Sequence, residues 1–170
     1  MKIAITGHTS GLGKYLFTKL QDEHIVYGFS RSNNYALPEK FNEVAEQAIQ
    51  CDIFINNAYV DDIQAKFIEY CSNKVSIITC GSMGADYTHW NKKYYSDKFL
   101  IESTHKRYKK NSKLPMLLLK MGYLENYPQY ESISYEQILN GILFWMKNQR
   151  ASIIEFDNVY WDNMFIKPKD

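Results

Sequence analysis

What this chain lacks narrows it first. No excess of either charge is present: 20 Lys and Arg stand against 19 Asp and Glu, a net charge of +1. General electrostatic attraction to nucleic acid or to a membrane surface is therefore not expected. The cationic stretch "KRYKK" at 106–110 ends a helical pattern, where cations suit the dipole, and reads as a solvated helix end. No apolar run approaches the roughly 20 residues of a membrane span. "ILNGILFWM" is too short and reads as a core helix. The opening "MKIAITG" lacks the charged start, apolar stretch and small-residue cleavage site of a secretory signal. Cys51, Cys71 and Cys80 are an odd set with no close pair, which suits buried thiols in a reducing compartment better than disulfides or zinc ligands. His8, His24, His89 and His105 have no metal-like spacing with each other or with cysteine, so no metal site is expected. Repeats, low-complexity tracts and linkers are also missing. The expectation is one soluble, cytoplasmic domain over residues 1–170.

What is present is ordinary globular composition, 45% hydrophobic and 23% charged, arranged as alternating strand and helix patterns. "KIAIT" is β-rich and ends at Gly7; residues 11–21 carry helical spacing through Leu12, Tyr15, Leu16 and Leu20. "IVYGFS" is a second strand, and "PEKFNEVAEQAIQ" a helix with Pro38 near its start. "DIFINNA" and "LPMLLLKM" are continuous apolar runs of the kind found in the buried middle of a parallel sheet. "IQAKFIEYCSN" is helical, "KVSIITC" a strand, 94–110 a long helix, 134–148 an amphipathic helix and "ASIIEF" a last strand. This order predicts an α/β, single-domain, Rossmann-like doubly wound parallel sheet with helices on both faces.

In such sheets ligands bind beyond the carboxyl ends of the strands. After the first strand the sequence is "TGHTSGLGKYL", a TGxxxGxG pattern. Gly7 permits a sharp turn, Gly11 lets backbone approach a pyrophosphate, and Gly13 lets the helix pack close to the sheet. The N–H groups opening that helix face a bound phosphate, and Thr9 and Ser10 can add hydroxyl donors or cap the helix. A glycine-rich turn without a ligand is the bland alternative. Further on stands "YYSDK" at 94–98, a Tyr and a Lys one helical turn apart. By itself that pair is either a catalytic couple or an aromatic edge on a polar helix.

Taken together, TGxxxGxG, then "NNA" at 56–58, then Ser82 in "TCGSMG", then YxxxK at Tyr94 and Lys98 resemble the short-chain dehydrogenase/reductase family, in which these elements occur in this order. The resemblance runs from Ala4 to about Asp157. It implies that Gly7, Ser10, Gly11, Leu12 and Gly13 hold a dinucleotide pyrophosphate, and that Asn57 and Ala58 lie along its adenosine side. Ser82 would hydrogen-bond the reacting carbonyl or hydroxyl, and Tyr94 would give or take the proton. Lys98 would assist Tyr94 and reach the nicotinamide ribose. Tyr95 has Phe99 at i+4 and reads as packing.

The spacing has a physical reason. Residues four apart share a helix face, and an ammonium about 4 Å from a phenolate is worth about 4 kcal/mol at an effective dielectric near 20. That is up to about three pKa units, enough to bring a phenol from about 10 toward 7. The cofactor is read after the second strand, where "GFSRSNN" offers Ser30, Arg31 and Ser32 and no carboxylate for a ribose 2′-hydroxyl. A guanidinium flanked by hydroxyls suits a 2′-phosphate, so NADP(H) is expected, with a solvated arginine as the alternative.

Departures from the family pattern carry expectations of their own. The chain is shorter than most members, and its third strand and helix are expected to be missing or reduced. Tyr59 stands where the family commonly has Gly and is expected to crowd the cofactor cleft. The family's additional catalytic asparagine finds no place, and Ser82 to Tyr94 is slightly tight. Met121–Gly122 replaces a Pro-Gly, and Asn126 falls where a threonine often contacts the nicotinamide amide; both Gly122 and Asn126 are expected at the cofactor. "YLENYPQYES" replaces a long substrate-covering segment, so the site should be shallow and open unless a partner subunit closes it. The apolar edge of "FLIESTHKRY" and the family's habit of pairing this helix imply a homodimer or homotetramer. The tail "DNVYWDNMFIKPKD" reads as edge packing or a subunit contact. The function expected is hydride transfer between NADPH and a small carbonyl or alcohol, through Ser82, Tyr94 and Lys98. The alternatives are a non-catalytic NADP-binding sensor or scaffold and a nucleotide-sugar epimerase or dehydratase.

Overall fold

The computed structural model describes residues 1–86, 92–126 and 132–156. His89, the middle of "YLENYPQYES" at 127–131, and the tail at 157–170 lie outside the described residues. Six strands alternate with five helices: β1 (Lys2–Thr6), α1 (Gly11–Leu20), β2 (Ile25–Phe29), α2 (Phe41–Ala48), β3 (Ile53–Asn56), α3 (Ile63–Cys71), β4 (Ser76–Cys80), α4 (Lys92–Lys109), β5 (Met116–Met121), α5 (Tyr135–Asn148) and β6 (Ile153–Phe156). All strand pairings are parallel, in the order β2-β1-β3-β4-β5-β6. This is the doubly wound sheet that the apolar runs and the helix alternation predict.

β3 and β5 are buried at every position because both faces of the sheet are covered. Alternate side chains therefore enter different cores. Ile3, Ile5, Ile53, Ile55, Ile78, Leu117 and Leu119 pack under α1 and α5, whereas Ala4, Phe54, Ile77, Met116 and Leu118 pack under α2, α3 and α4. α5 starts with a capping box between Ser134 and Gln137 and buries Tyr135, Ile138, Ile142 and Trp145 at helical spacing. Pro38 falls in a turn before α2, which begins only at Phe41. The expected start of that helix is therefore corrected: Lys40 N bonds Ala36 O and Phe41 N bonds Pro38 O, closing separate turns first. β2 is an edge strand, and among the described residues no strand pairs outside it; Ile25 and Tyr27 are exposed there. No helix of the described residues is long and apolar enough to cross a membrane. Cys71 and Cys80 are buried, Cys51 only partly, and all three are free thiols.

Strand order reverses at β1, with β2 on one side and β3 on the other. A crevice therefore opens beyond the carboxyl ends of β1 and β3, and the loops carrying the sequence motifs meet there.

Candidate functional site

The turn after β1 is built on three glycines with distinct constraints. Gly7 has φ +73, and its N–H bonds Phe29 O at 2.8 Å, tying the turn to β2. A Cβ on Gly13 would stand 2.1 Å from Gly7 O, so only glycine lets α1 lie this close to the turn. Gly11 has φ +51, and its missing Cβ faces only the Tyr135 hydroxyl, at 3.5 Å. Ser10 is the N-cap residue of α1 but makes no side-chain capping bond, and no acidic residue occupies the first turn. Capping is thus not the task of Ser10. The helix N-terminus keeps its positive end uncompensated and opens on a space a side chain would fill, the shape and charge a pyrophosphate needs.

That space is a cavity of about 920 Å³. It gathers Gly7, Thr9, Ser10, Gly11, Leu12 and Gly13 from the turn, Ser30, Arg31 and Ser32 from the end of β2, Asn57 and Ala58 from β3, and Asn126 beside Tyr135. Asn57 Nδ2 donates to Thr6 O, and the backbone N–H groups of Asn57 and Ala58 both donate to Thr6 Oγ1, each at 3.0 Å. These bonds lock the end of β3 to the glycine turn. On the β2 side, Arg31–Asn33 form a 3₁₀ turn; Ser30 Oγ and Ser32 Oγ lie 2.8 Å apart, and Asn33 Nδ2 donates to Gly28 O at 2.7 Å. No carboxylate among the described residues pairs with Arg31. His8 packs against Phe17 and over Gly28, where a Cβ would come within 2.4 Å of its ring.

A second cavity, of about 420 Å³, shares Leu12, Asn57 and Leu124 with the first. Ser82, Tyr94, Lys98 and Gly122 all line it. Gly84 brings the first two together: a Cβ there would stand 2.9 Å from Tyr94 Cε1 and 3.2 Å from Ser82 Oγ. Ser82 Oγ accepts from Gly84 N at 3.0 Å, which leaves the hydroxyl proton available to the cavity. The turn carrying Gly84 is held from behind by Lys120 on β5, whose buried ammonium pairs with Asp86 at 2.8 Å and with Glu102 at 3.2 Å.

Lys98 departs from the expected picture. It is 6% exposed, and its ammonium donates to Gln64 Oε1 at 3.0 Å. It lies 4.4 Å from the centroid of the Tyr59 ring and 5.5 Å from that of Tyr94. Burial pushes its pKa down to about 8, against smaller upward pulls from Cys80 and Asp97. Tyr59 donates to Asp97 Oδ2 at 2.7 Å, and its ring meets that of Tyr94 edge-on at 5.4 Å. Burial and the Asp97 bond push the Tyr59 phenol up to about 12, so it is not a proton source near neutrality. Tyr95 stacks on Phe99 instead, with ring centroids 5.9 Å apart.

All the catalytic and cofactor-binding candidates named from the sequence thus border these two adjoining cavities. Sequence reasoning missed Gln64, Tyr135 and the aromatic cover that Tyr59 makes over Lys98. Gln64 left one readable trace, a polar side chain on the stripe that continues through Phe67, Ile68 and Cys71 into the core.

No protein-family model matches the chain, and no curated protein matches it in sequence. Solved structures do match in shape. A short-chain dehydrogenase from Burkholderia cenocepacia in complex with NADP has a TM-score of 0.74 at 14% identity, over 95% of this chain and 90% of that one. A 3-alpha-hydroxysteroid dehydrogenase from a Pseudomonas species, complexed with NADH, also gives 0.74, at 13% identity, over 97% and 98%. The UDP-N-acetylglucosamine 4-epimerase of Bacillus cereus gives 0.69 at 19% identity, over 92% and 77%. The likeness is one of architecture: the chain has the fold of the short-chain dehydrogenases/reductases.

Proposed function

We propose that this protein is an NADP(H)-dependent oxidoreductase of the short-chain dehydrogenase/reductase type, acting between a carbonyl compound and its alcohol. The observation that carries the reading is the meeting of Ser82, Tyr94 and Lys98 around one cavity that adjoins the glycine turn. The nicotinamide cofactor supplies or accepts the hydride when bound. Gly7, Ser10, Gly11 and Gly13 cradle its pyrophosphate, with the N-terminus of α1 behind them. The Ser82 hydroxyl, already accepting from Gly84 N, donates to the substrate oxygen and orients it. Tyr94 gives its phenolic proton to that oxygen during reduction and takes it back during oxidation. Lys98 stabilises the phenolate left behind. Arg31 pairs with no carboxylate among the described residues and lines the cavity together with Ser30 and Ser32, which favours the 2′-phosphate of NADP(H) over the free hydroxyl of NAD(H). Free thiols suit a reducing compartment such as the cytoplasm.

A second reading is a non-catalytic NADP-binding sensor. Tyr59 supports it, because its ring lies 4.4 Å from the Lys98 ammonium and its hydroxyl is tied to Asp97.

Calorimetry with NADPH and NADH, joined to an NADPH-depletion screen over ketones, aldehydes, keto-sugars and nucleotide sugars, tests the choice. NADPH should bind more tightly than NADH by about 10- to 150-fold, the range of one charge-assisted contact, and Arg31→Ala should abolish most of that ratio. Equal affinities would overturn the assignment of NADP(H). Normal NADPH binding with no substrate reduced would favour the sensor.

A further inference from the structure

Gln64 is the second residue of α3 and is wholly buried. Every polar atom of its side chain has a partner. Nε2 donates to Asn56 O and to Cys80 O, both at 2.9 Å, which are carbonyls at the ends of β3 and β4. In return Asn56 Nδ2 donates to Gln64 O at 2.8 Å. With the amide nitrogen committed to two carbonyls, the amide plane cannot turn over, and Oε1 is left facing Lys98 Nζ at 3.0 Å. A neutral amide oxygen is a particular choice here. A carboxylate would hold the ammonium too but would cancel much of the field that Lys98 exerts on a neighbouring phenolate.

We infer that Gln64 is the positioning residue of Lys98: its strand-anchored amide fixes the ammonium beside Tyr94 and sustains its charge without neutralising it. The inference rests on the proposed role of Lys98 as partner to Tyr94. Other groups face the ammonium from each neighbouring element. Tyr94 and Asp97 come from α4, Tyr59 from the loop after β3, and Cys80 from β4. Asp97 is already engaged by the Tyr59 hydroxyl and by Lys93, so among the described residues Gln64 is the direct acceptor of Lys98.

Two substitutions separate positioning from a merely structural link between β3 and β4. Gln64→Met keeps the length and removes donors and acceptor alike. Gln64→Glu keeps an acceptor toward Lys98, as a carboxylic acid donating to one strand carbonyl or, once ionised, as a counter-charge. Both weaken the strand link. The Lys98 ammonium is followed by NMR of ¹³Cε-labelled lysine, with Lys98→Arg giving the assignment. Its titration midpoint should fall by at least about one pH unit in Gln64→Met, the size of a lost charge-assisted bond, and stay level or rise in Gln64→Glu. In Gln64→Met the pH at which alcohol oxidation sets in should move up, because a neutral lysine no longer supports the Tyr94 phenolate. Midpoints that stay unmoved, or that move the same way in both folded variants, would overturn the inference. Midpoints that move as expected while the oxidation profile does not would uphold the contact and overturn the catalytic reading of Lys98.

Discussion

Burial, with no carboxylate among the described residues in contact, governs Lys98, and the consequence reaches stability as well as chemistry. Its folded pKa is depressed from 10.5 to about 8, mainly by desolvation. Below pH 8 both folded and unfolded chains carry the proton, and burying that charge costs the fold about 3 kcal/mol. Between pH 8 and 10.5 the unfolded chain still binds the proton while the folded one releases it, so this penalty fades as pH rises. Lys98→Met removes the titration and leaves Gln64 Oε1 unpaired, an opposing loss of about 1–3 kcal/mol. At pH 7.5 the two proteins should therefore differ modestly. By pH 9.5 urea unfolding should show the wild type gaining about 2 kcal/mol on Lys98→Met. A gap that does not change with pH would mean that folded Lys98 keeps its proton up to pH 9.5, so that burial does not lower its pKa. None of this was legible in "YYSDK". The spacing put Tyr94 and Lys98 on one helix face, but the depth of Lys98 depends on Gln64 and Tyr59, which lie 34 and 39 positions earlier.

The glycine turn is the element whose parts can be told apart by substitution. At Gly13 a methyl group would collide with Gly7 O, a backbone atom with no room to retreat, so Gly13→Ala must push α1 off the sheet. Overpacking of this kind costs about 1–3 kcal/mol or more. A thermal melt should show a loss of at least several degrees, with dinucleotide binding lost as well. Gly11→Ala meets only the Tyr135 hydroxyl, at ordinary contact distance, and its left-handed backbone costs only about 1–2 kcal/mol. That variant should fold and melt within a few degrees of the wild type, yet bind dinucleotide weakly because the methyl group fills the cradle. If both variants fold and bind alike, the turn is not a ligand cradle. Elements such as this one were readable because glycine spacing and continuous apolar runs express backbone and burial requirements directly. The start of α2 was less readable because Pro38 fits a turn as well as a helix start. Gly28 shows the same limit: its need for glycine comes from His8, twenty positions earlier, and no local pattern announces it.

At the scale of the whole molecule, α4 serves two surfaces. Its inner face buries Lys98, Ile101, Thr104 and His105, while Phe99 and Leu100 on the other side remain 53% and 40% exposed. Adjacent large apolar side chains on a long helix predict self-association. Sedimentation across micromolar concentrations should show a species heavier than the monomer, and Phe99→Glu with Leu100→Glu should return it to the monomer. A strictly monomeric wild type would show that this face is simply solvated. Turnover reads out whether this molecule exchanges a proton through Tyr94 while a hydride moves. With any carbonyl compound that the wild type reduces, Tyr94→Phe and Tyr95→Phe are compared at saturating NADPH. Tyr94→Phe should keep the fold and NADPH affinity but lose at least about 10²- to 10⁴-fold in kcat, the contribution of a general acid–base group, while Tyr95→Phe stays near wild type. Full activity in Tyr94→Phe would show that the proton comes from elsewhere and would overturn the proposed role of Tyr94.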